Sequence, residues 1–400
     1  MRPDSAIEIV HQLRNCSHEA YLVGGCVRDM VMGIEPADYD IATSAHPDQI
    51  MKLFPRTEAI GAKFGVVLVI HRGHPFEVAT FRSDEAYIDG RRPTGVVFTD
   101  AKTDVLRRDF TINGLLYDPI ERRILDYVCG QEDIAKKIVR AIGDPFKRFD
   151  EDKLRILRAI RFGARLGYAI EPETWKAVCA MAPQIHQVSI ERIQGEIVRT
   201  LTEGQARPGV QMLHTSGLLR EILPEVQCND HLMDCLGQLK GGESAAFAIS
   251  VLLHEVPSDV AERIVQRLKF SNAEIQHVVS LVRERTRMHE LKTFSVGALK
   301  KFFRLPGFED HLELMRICDV ASRRNLDDYD FAQRAFGGWT AHDIQPAPLV
   351  TGEDLISRGF TPGPIFKEIL NRVEDEQLEG RLQDRTQALE FVTSNYGQRR

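Results

Sequence analysis

Residues 22–29 read Leu-Val-Gly-Gly-Cys-Val-Arg-Asp, and the triplet Asp38-Tyr39-Asp40 follows shortly afterwards. A Gly-Gly pair at the end of an apolar strand lets the backbone approach a phosphate closely, and Arg28 supplies a positively charged fork beside it. Because side chains two apart on a strand point to the same face, Asp38 and Asp40 can together hold one divalent cation. The combination predicts a site that transfers a nucleotide with the help of magnesium.

The 400-residue chain is long enough for several domains, and its 43% hydrophobic and 28% charged residues are typical of a soluble globular protein. No apolar run has the length of a membrane span, and the first residues lack the features of a signal peptide. The seven cysteines form no Cys-x-x-Cys pair, which predicts reduced thiols in the cytoplasm and argues against a zinc ribbon.

The net charge of −6 does not exclude RNA binding, because RNA binding depends on local basic patches rather than on the overall charge. Nothing in the sequence fixes the oligomeric state.

Helix-like and strand-like patterns alternate over the first ~140 residues. We predict a helix near 4–16, strands at 20–23 and 38–43, and a hairpin of 64–71 with 76–81. Beyond Gly143-Asp144-Pro145 the strand pattern ends, and amphipathic patterns predict helices throughout the remainder. These patterns lie at 150–167, 173–182, 189–203, 208–218, 245–253, 258–268, 273–290, 296–303, 308–322 and 365–392.

The order of these pieces resembles the nucleotidyltransferase superfamily that includes DNA polymerase beta. The sequence LVGGCVRD…DYDIAT resembles the motif of the class II CCA-adding enzyme and bacterial poly(A) polymerase family. The resemblance implies an α/β head with a polymerase-beta-like mixed sheet, followed by an all-helical neck, body and tail. It also implies Mg2+ on Asp38 and Asp40, and a triphosphate held by Gly24, Gly25 and Arg28. The predicted domains are a catalytic head at 1–142, a neck with a nucleotide-selecting helix at 143–205, a degenerate HD-like body at 206–300 and a tRNA-binding tail at 301–400.

Two further features of the predicted head bear on catalysis. Glu77 lies in the apolar strand 76–81, where a third acid either completes the metal site, polarises the attacking hydroxyl, or is a half-exposed strand residue without a role. Residues 82–104 are rich in Asp, Gly, Pro and Thr, which predicts a mobile loop. This loop resembles one that relatives adding only the two cytidines typically lack, so it argues against CC-only activity.

The stretch Arg107-Arg108-Asp109-Phe110-Thr111-Ile112-Asn113 resembles the family's second motif, which is associated with ribose and triphosphate recognition. Paired arginines offer donors to phosphate, and the neighbouring Asp and Asn offer partners to sugar hydroxyls. The resemblance therefore implies that Arg108, Asp109 and Asn113 bind the nucleotide.

Within 149–162, Asp152, Arg155, Arg158 and Arg161 recur every three residues and predict one polar ridge on a helix. Cytosine and adenine both present an amino donor beside a ring-nitrogen acceptor, whereas guanine and uracil present the reverse. An acceptor-only Asp152 beside a donor-only Arg155 therefore matches C and A and mismatches G and U. The segment resembles the family's EDxxR motif, which selects the incoming base, and the resemblance assigns Arg158 and Arg161 to the phosphate side. The alternative is a ladder of ion pairs.

Two later segments carry no predicted chemistry. Residues 189–196 resemble the family's last motif, ERIxxE, which stabilises the neck helices. Many relatives also carry an HD-type metal phosphohydrolase domain, but the corresponding helix here contains His254-Glu255 in place of His-Asp. His231, His277 and His289 form no obvious ligand set around it, so we predict no second metal hydrolase centre.

The predicted reaction is the addition of C, C and A to the 3′ end of tRNA from CTP and ATP, with Mg2+ as cofactor and pyrophosphate as product. A bacterial poly(A) polymerase shares the head motifs, but usually carries a Gly-basic-basic-Phe signature where this chain reads Gly61-Ala62-Lys63-Phe64. Its C-terminus also tends to be strongly basic, whereas this chain ends Gln398-Arg399-Arg400. An A-adding tRNA enzyme is not separated by these motifs. A non-catalytic RNA-binding module is expected to lose Asp38 or Asp40, and both are present.

Overall fold

The computed structural model describes residues 2–61, 65–84 and 96–397. The chain divides into two compact units. Unit 1 consists of Met1–Cys228 with Leu239–Glu243, and unit 2 of Asn229–Gln238 with Ser244–Arg400. Among the described helices, none is both long and apolar enough to cross a membrane. The finer division at 142, 205 and 300 stays a prediction.

Unit 1 is built on a mixed β-sheet. The strands among the described residues are β1 (Ala20–Val23), β2 (Asp40–Thr43), β3 (Thr57–Gly61), β4 (Val66–His71), β5 (His74–Thr80), β6 (Arg82–Asp84), β7 (Val96–Phe98), β8 (Leu115–Asp118), β9 (Arg123–Asp126), β10 (Ile138–Val139) and β11 (Ala169–Ile170). Seven of them form one sheet in the order β3-β4-β5-β2-β1-β8-β9. Strands β2 and β5 are parallel and the other neighbours antiparallel, so the predicted mixed sheet is confirmed.

Strand β1 lies inside this sheet, and all four of its residues are buried. Burial on both faces explains why Ala20–Val23 reads as an unbroken apolar run rather than an alternating one. The predicted hairpin forms from β4 and β5, although its loop is shortened to Arg72 and Gly73, both with positive φ. Positive φ at both central positions is the geometry of a type I′ turn, which matches the twist of the paired strands. Strand β3 was not predicted, and β2 begins at Asp40 instead of Asp38.

The helices of unit 1 surround the sheet and continue beyond it. They are α1 (Arg2–Asn15), α2 (Gly25–Val31), α3 (Pro47–Leu53), α4 (Ala101–Leu106), α5 (Gly130–Lys136), α6 (Pro145–Glu151), α7 (Leu154–Leu166), α8 (Pro172–Met181), α9 (Ile190–Thr202), α10 (Ala206–Thr215) and α11 (Leu218–Ile222), with 3-10 turns at Thr111–Asn113 and Ala182–Gln187. The remainder after 143 is not wholly helical, because β11 pairs with β10 in parallel.

The predicted helix 150–167 is interrupted at its first turn. Helix α6 ends at Glu151 and α7 begins at Leu154, while Asp152 is extended, with φ −147° and ψ 103°. The Leu154 N–H donates to Oδ1 of Asp152 at 3.1 Å, a local hydrogen bond that competes with helix continuation. Asp152 therefore precedes the helix that carries Arg155, Arg158 and Arg161, and the predicted ridge of four residues is wrong in this respect.

Unit 2 is helical in its described residues. Its helices are α12 (Asp230–Leu236), α13 (Ala245–Leu253), α14 (Ser258–Arg267), α15 (Asn272–Glu284), α16 (Val296–Phe302), α17 (Phe308–Ala321), α18 (Asp327–Gly337), α19 (Ala341–Ile344), α20 (Gly352–Ser357), α21 (Pro364–Leu378) and α22 (Arg385–Tyr396), with a 3-10 turn at Arg287–Thr293. The predicted helix 365–392 is two helices, since Gly380 between them has φ 76°. Separate apolar clusters form around Phe303 and Phe308 and around Leu355 and Val373.

Candidate active site

The glycine turn directly follows strand β1. Gly24 has φ 75° and ψ −131°, a conformation that residues with a side chain rarely adopt. A Cβ at Gly24 would lie 3.3 Å from Nη1 of Arg108, so the absence of a side chain lets this guanidinium approach the backbone. The Arg108 guanidinium also donates from Nη2 to Oδ2 of Asp104 at 3.0 Å, which fixes it beside the turn at the end of β1.

The acidic residues lie beside this turn. Asp40 begins β2, where its antiparallel partner on β1 is Val23. Because Ile41 pairs with Val78 on the parallel strand β5, the preceding residues Asp40 and Glu77 are neighbours on the other face of the sheet. Both of these acidic side chains are exposed, whereas Ile41 and Val78 are fully buried. Two of the three predicted catalytic acids are therefore adjacent.

The pKa of Asp40 is raised to about 6. The main cause is that surrounding protein atoms displace water from the carboxyl, even though the side chain keeps some solvent contact. Negative charge on Glu77 and on Asp38 raises the pKa further, and Arg108 partly offsets them. Asp38 precedes β2, so the strand argument for a shared face applies to Asp40 and Glu77, and Asp38 joins them electrostatically. A bound divalent cation would relieve this repulsion.

Arg28 is enclosed by protein. It is 3% exposed, donates to the carboxylate of Asp29, and donates from Nη1 to Oδ1 of Asn113 at 2.8 Å. Nδ2 of Asn113 in turn donates to Oδ1 of Asp109 at 3.3 Å. The guanidinium also lies 5.5 Å from the centre of the Phe162 ring. Its contacts therefore orient Asn113, a neighbour of the predicted nucleotide.

Asp109 continues this network to the helix α7. Its Oδ2 accepts hydrogen bonds from Nε and Nη2 of Arg158 at 2.8 and 2.6 Å, and its Oδ1 accepts from the Phe110 N–H at 2.8 Å. Burial by itself would raise the pKa of Asp109, but the charge and hydrogen bonds of Arg158 bring it to about 2. Asp109 is therefore ionised at neutral pH and fixes the Arg158 guanidinium.

A cavity of about 270 Å³ in unit 1 brings together six of the ten predicted nucleotide-binding residues. Its walls are Arg107, Arg108, Asp109, Asn113, Asp152, Leu154, Arg155, Arg158 and Arg192. A larger cavity of about 430 Å³ between Leu106, Ala141 and Glu171 contains none of the predicted site residues. The polar cavity is therefore the candidate nucleotide site.

Asp152 and Arg155 are each held at this cavity by a second side chain. Arg192 donates from Nη1 and Nη2 to the two carboxylate oxygens of Asp152, at 3.1 and 2.7 Å. Arg155 donates from Nη1 to Oε2 of Glu151 at 2.6 Å, and from Nη2 to the Arg107 carbonyl at 3.0 Å. Both groups therefore have a fixed orientation before any ligand arrives.

Arg161 lies elsewhere. It is 4% exposed and donates from Nε to Oε2 of Glu196 at 2.6 Å, with Glu203 3.3 Å from its Nη1. Glu196 is itself buried and also accepts from Arg199 at 2.9 Å. Arg161 thus joins α7 to α9 and does not line the cavity, in contrast to its predicted place on the phosphate side. The contact agrees with the structural role predicted for 189–196.

Sequence reasoning missed Glu151 and Arg192. Glu151 is the first residue of EDxxR, and Arg192 is the second residue of ERIxxE. Their places in these motifs could have indicated a role at the site. The predicted loop 82–104 contains regular structure at both of its ends, because β6 pairs with β7 and α4 begins at Ala101. Its residues Tyr87, Asp89, Arg91 and Arg92 lie outside the described residues.

Known proteins match the chain along nearly its whole length. Residues 20–140 match the family model described as "Poly A polymerase head domain", 167–229 match "Probable RNA and SrmB- binding site of polymerase A", and 239–392 match tRNA nucleotidyltransferase domain 2. A CCA-adding enzyme of Bacillus cytotoxicus is 34% identical over 95% of this chain and 95% of its own length. The chain belongs to the CCA-adding enzyme family.

Other members of the CCA-adding enzyme family agree with this assignment. The CCA-adding enzyme of Levilactobacillus brevis is 34% identical over 96% of both chains. The crystal structure of the Bacillus stearothermophilus CCA-adding enzyme in complex with CTP superposes with a TM-score of 0.84, at 27% identity and 98% coverage of each chain. The family and the polymerase-beta-like head predicted from the sequence are both confirmed.

Proposed function

We propose that this protein adds C, C and A to the 3′ end of tRNA, using CTP and ATP and releasing pyrophosphate. The observation that carries the proposal is the polar cavity, where Asp152 and Arg155 are both fixed in the wall, in a chain that belongs to the CCA-adding enzyme family. A site that accepts only C and A without a nucleic-acid template needs such a pair of protein groups.

The acidic residues fit a magnesium site. Asp38, Asp40 and Glu77 offer only oxygen atoms, which Mg2+ prefers, and burial together with the negative charge of Glu77 and Asp38 raises the pKa of Asp40. Asp38 and Asp40 would hold the cation, and Glu77 completes the negative charge around it. When bound, Mg2+ lowers the pKa of the attacking 3′-hydroxyl and stabilises negative charge on the phosphate oxygens.

The reaction forms one bond and breaks another. The 3′-oxygen of the tRNA bonds to the α-phosphorus of the incoming nucleotide, while the bond to the β-phosphate oxygen breaks and pyrophosphate leaves. Glu77 is the neighbouring carboxylate that accepts the hydroxyl proton. Gly24, Gly25 and Arg108 form the surface for the triphosphate, because close backbone approach and a guanidinium both favour phosphate.

Base selection follows from hydrogen-bonding complementarity. The Asp152 carboxylate accepts from the amino group of cytosine or adenine, and the Arg155 guanidinium donates to the adjacent ring nitrogen. Uracil and guanine would place an acceptor against Asp152 and a donor against Arg155, which leaves buried polar groups unpaired. Arg158, fixed by Asp109, contacts the sugar or phosphate without reading the base.

The remaining partners follow the family. We assign tRNA binding to the helical region at 301–400, where recognition by shape and backbone suits a substrate class that shares shape but not sequence. None of the seven cysteines forms a disulfide, which supports a reducing compartment, the cytoplasm.

The experiment uses tRNA that lacks its CCA end. The protein is incubated with CTP alone, ATP alone and both, with Mg2+ present. The proposal expects CTP alone to add two residues and the mixture to complete CCA and stop. Addition of a single A only to tRNA that already ends in CC would identify an A-adding enzyme, and long A tracts on unrelated RNA would identify a poly(A) polymerase.

A further inference from the structure

A second cluster of side chains with metal-binding chemistry lies in unit 2. His231, Cys235, His254 and Cys318 each contribute one ligand atom to a group whose members all lie within 4.8 Å of one another. Within the described part of the chain it is the only such group of three or more. Cys235, His254 and Cys318 are buried and His231 is half-buried. Of the three histidines considered in the sequence analysis, His231 does lie beside His254, with the cysteines as further members of the group.

The cluster joins three helices. Helix α12 carries His231 and Cys235 four residues apart, hence on one face. His254 ends α13, and Cys318 lies within α17. Helix α12 packs against both α13 and α17, which brings these ligands together although they are distant in sequence.

The interatomic distances suit a tetrahedral metal. Sγ of Cys235 lies 3.7 Å from Nε2 of His231 and 3.8 Å from Nε2 of His254. Bond lengths of about 2.3 Å to sulfur and about 2.0 Å to nitrogen place neighbouring ligands of tetrahedral zinc roughly 3.5 Å apart. These two distances exceed that spacing by only a few tenths of an ångström, and all the ligand atoms lie within 4.8 Å of one another.

Neighbouring residues hold the ligands in a binding geometry. Nδ1 of His254 donates to the Val251 carbonyl at 2.8 Å, so in the neutral imidazole Nε2 is the nitrogen with a lone pair, and it is directed at the cluster. Asn229 caps α12 by accepting the Leu232 N–H at 2.7 Å, and it donates to Glu255 at 2.8 Å. Asn229 thus fixes helix α12, which carries His231, relative to Glu255, the residue next to His254.

We propose that His231, Cys235, His254 and Cys318 bind one Zn2+ as a structural site of unit 2. Two thiolates and two neutral imidazoles make the complex electrically neutral, which permits its burial. Four protein ligands leave no open position for a substrate, as in structural rather than catalytic zinc sites. Sulfur ligands also select zinc over the Mg2+ of the active site.

Binding forms two Zn–S and two Zn–N bonds, breaks the two S–H bonds and the bonds from hydrated Zn2+ to its water ligands, and releases two protons and that water to the solvent, with no change of oxidation state. Since the ligands span 231–318, the metal links helices from the beginning and the middle of unit 2. We expect its removal to lower the melting temperature of the protein.

The test measures zinc in the full-length protein, purified under reducing conditions from zinc-supplemented cells and exchanged into metal-free buffer. Mass spectrometry of the metal should find about one zinc per chain in the wild type. Cys235→Ser and Cys318→Ser should lose it, whereas the matched control Cys179→Ser, in unit 1, should retain it. Cobalt reconstitution should give thiolate-to-cobalt charge-transfer bands that Cys318→Ser lacks.

A second variant covers the case in which the buried serines unfold the protein. His231→Ala removes a half-buried ligand, should keep its helical circular dichroism, and should weaken zinc in competition with a chelating dye at least about tenfold. Three results would overturn the proposal. They are a wild type that holds no zinc even after reconstitution under reductant, a Cys235–Cys318 disulfide in the reduced preparation, and zinc retained by both cysteine variants.

Discussion

Arg192 donates to both carboxylate oxygens of Asp152, at 3.1 and 2.7 Å, from a helix that begins 38 residues later in the chain. The bidentate pairing fixes the plane of the carboxylate. The directions of its remaining lone pairs are therefore fixed as well. A side chain of the ERIxxE motif thereby sets the orientation of Asp152 in EDxxR. Under the proposed function, the neck motif therefore contributes to specificity as well as to stability.

Arg192→Ala should reduce the preference for C and A over U and G roughly tenfold, since a freely rotating Asp152 loses on the order of 1–3 kcal/mol of discrimination. Single-nucleotide incorporation on tRNA lacking CCA measures the ratio. Arg199→Ala, which removes an exposed arginine from the same helix, is the matched control and should keep the ratio. Equal ratios in both variants would show that the pairing serves stability alone.

Asp38→Ala and Asp40→Ala should each lower nucleotide transfer at least about a hundredfold while the melting temperature stays near that of the wild type. Each substitution removes a carboxylate from the acidic group and no core volume, because both side chains are exposed. Asp48→Ala, an exposed acid on α3, is the control. Near-normal transfer by either active-site variant would contradict the metal assignment.

The Asp109–Arg158 pair predicts a loss of stability in acid. The pKa of Asp109 is about 2 in the folded protein against an ordinary 3.8, so its stabilisation is complete above the ordinary value and is lost as the pH falls towards 2. The shift corresponds to about 2 kcal/mol. Asp109→Asn should therefore lose less stability on acidification than the wild type does.

Urea unfolding at about pH 6 and about pH 2.5 measures this difference. Trp175 reports on unit 1 when Trp339, the other tryptophan, is replaced by Phe. If Asp109→Asn and the parent protein lost the same free energy of unfolding, the pair would not be the acid-sensitive element.

Much of the site could be read from local patterns. The positions of the glycine turn and of Asp40 are predictable because each depends on its own strand or turn. Residues whose roles depend on distant partners were not predictable in the same way. The family resemblance placed Arg161 on the phosphate side, yet Glu196, 35 residues away, holds it.

Helix breaks were a second source of error. Asp152 fits the helical spacing of the sequence pattern. Its side chain instead accepts the Leu154 N–H, and its backbone is extended. The zinc-binding cluster was not predicted because, as with Arg161, its residues meet partners that are distant in the sequence. Cys318 and His231 are 87 positions apart and meet only after α12 and α17 have packed.

The loop offers a test of the C-to-A switch. Deleting residues 86–92 should leave addition of the two cytidines largely intact and stop addition of the adenosine, as the resemblance to CCA-adding relatives implies. Product lengths on a sequencing gel distinguish tRNA ending in CC from complete CCA. A deletion variant that completes CCA at the normal rate would show that the loop only connects β6 to β7.

We propose that Asp152 and Arg155 take the place of a template, and this role is measured by the ratio of C to U incorporation. Asp152→Ala and Arg155→Ala should lower this ratio roughly tenfold or more, whereas Arg158→Ala should slow all four nucleotides alike. Arg158 serves as the matched control because it lines the same cavity but is paired with Asp109. Loss of activity with an unchanged C-to-U ratio in both Asp152→Ala and Arg155→Ala would contradict the claim and reduce the pair to structural ion pairs.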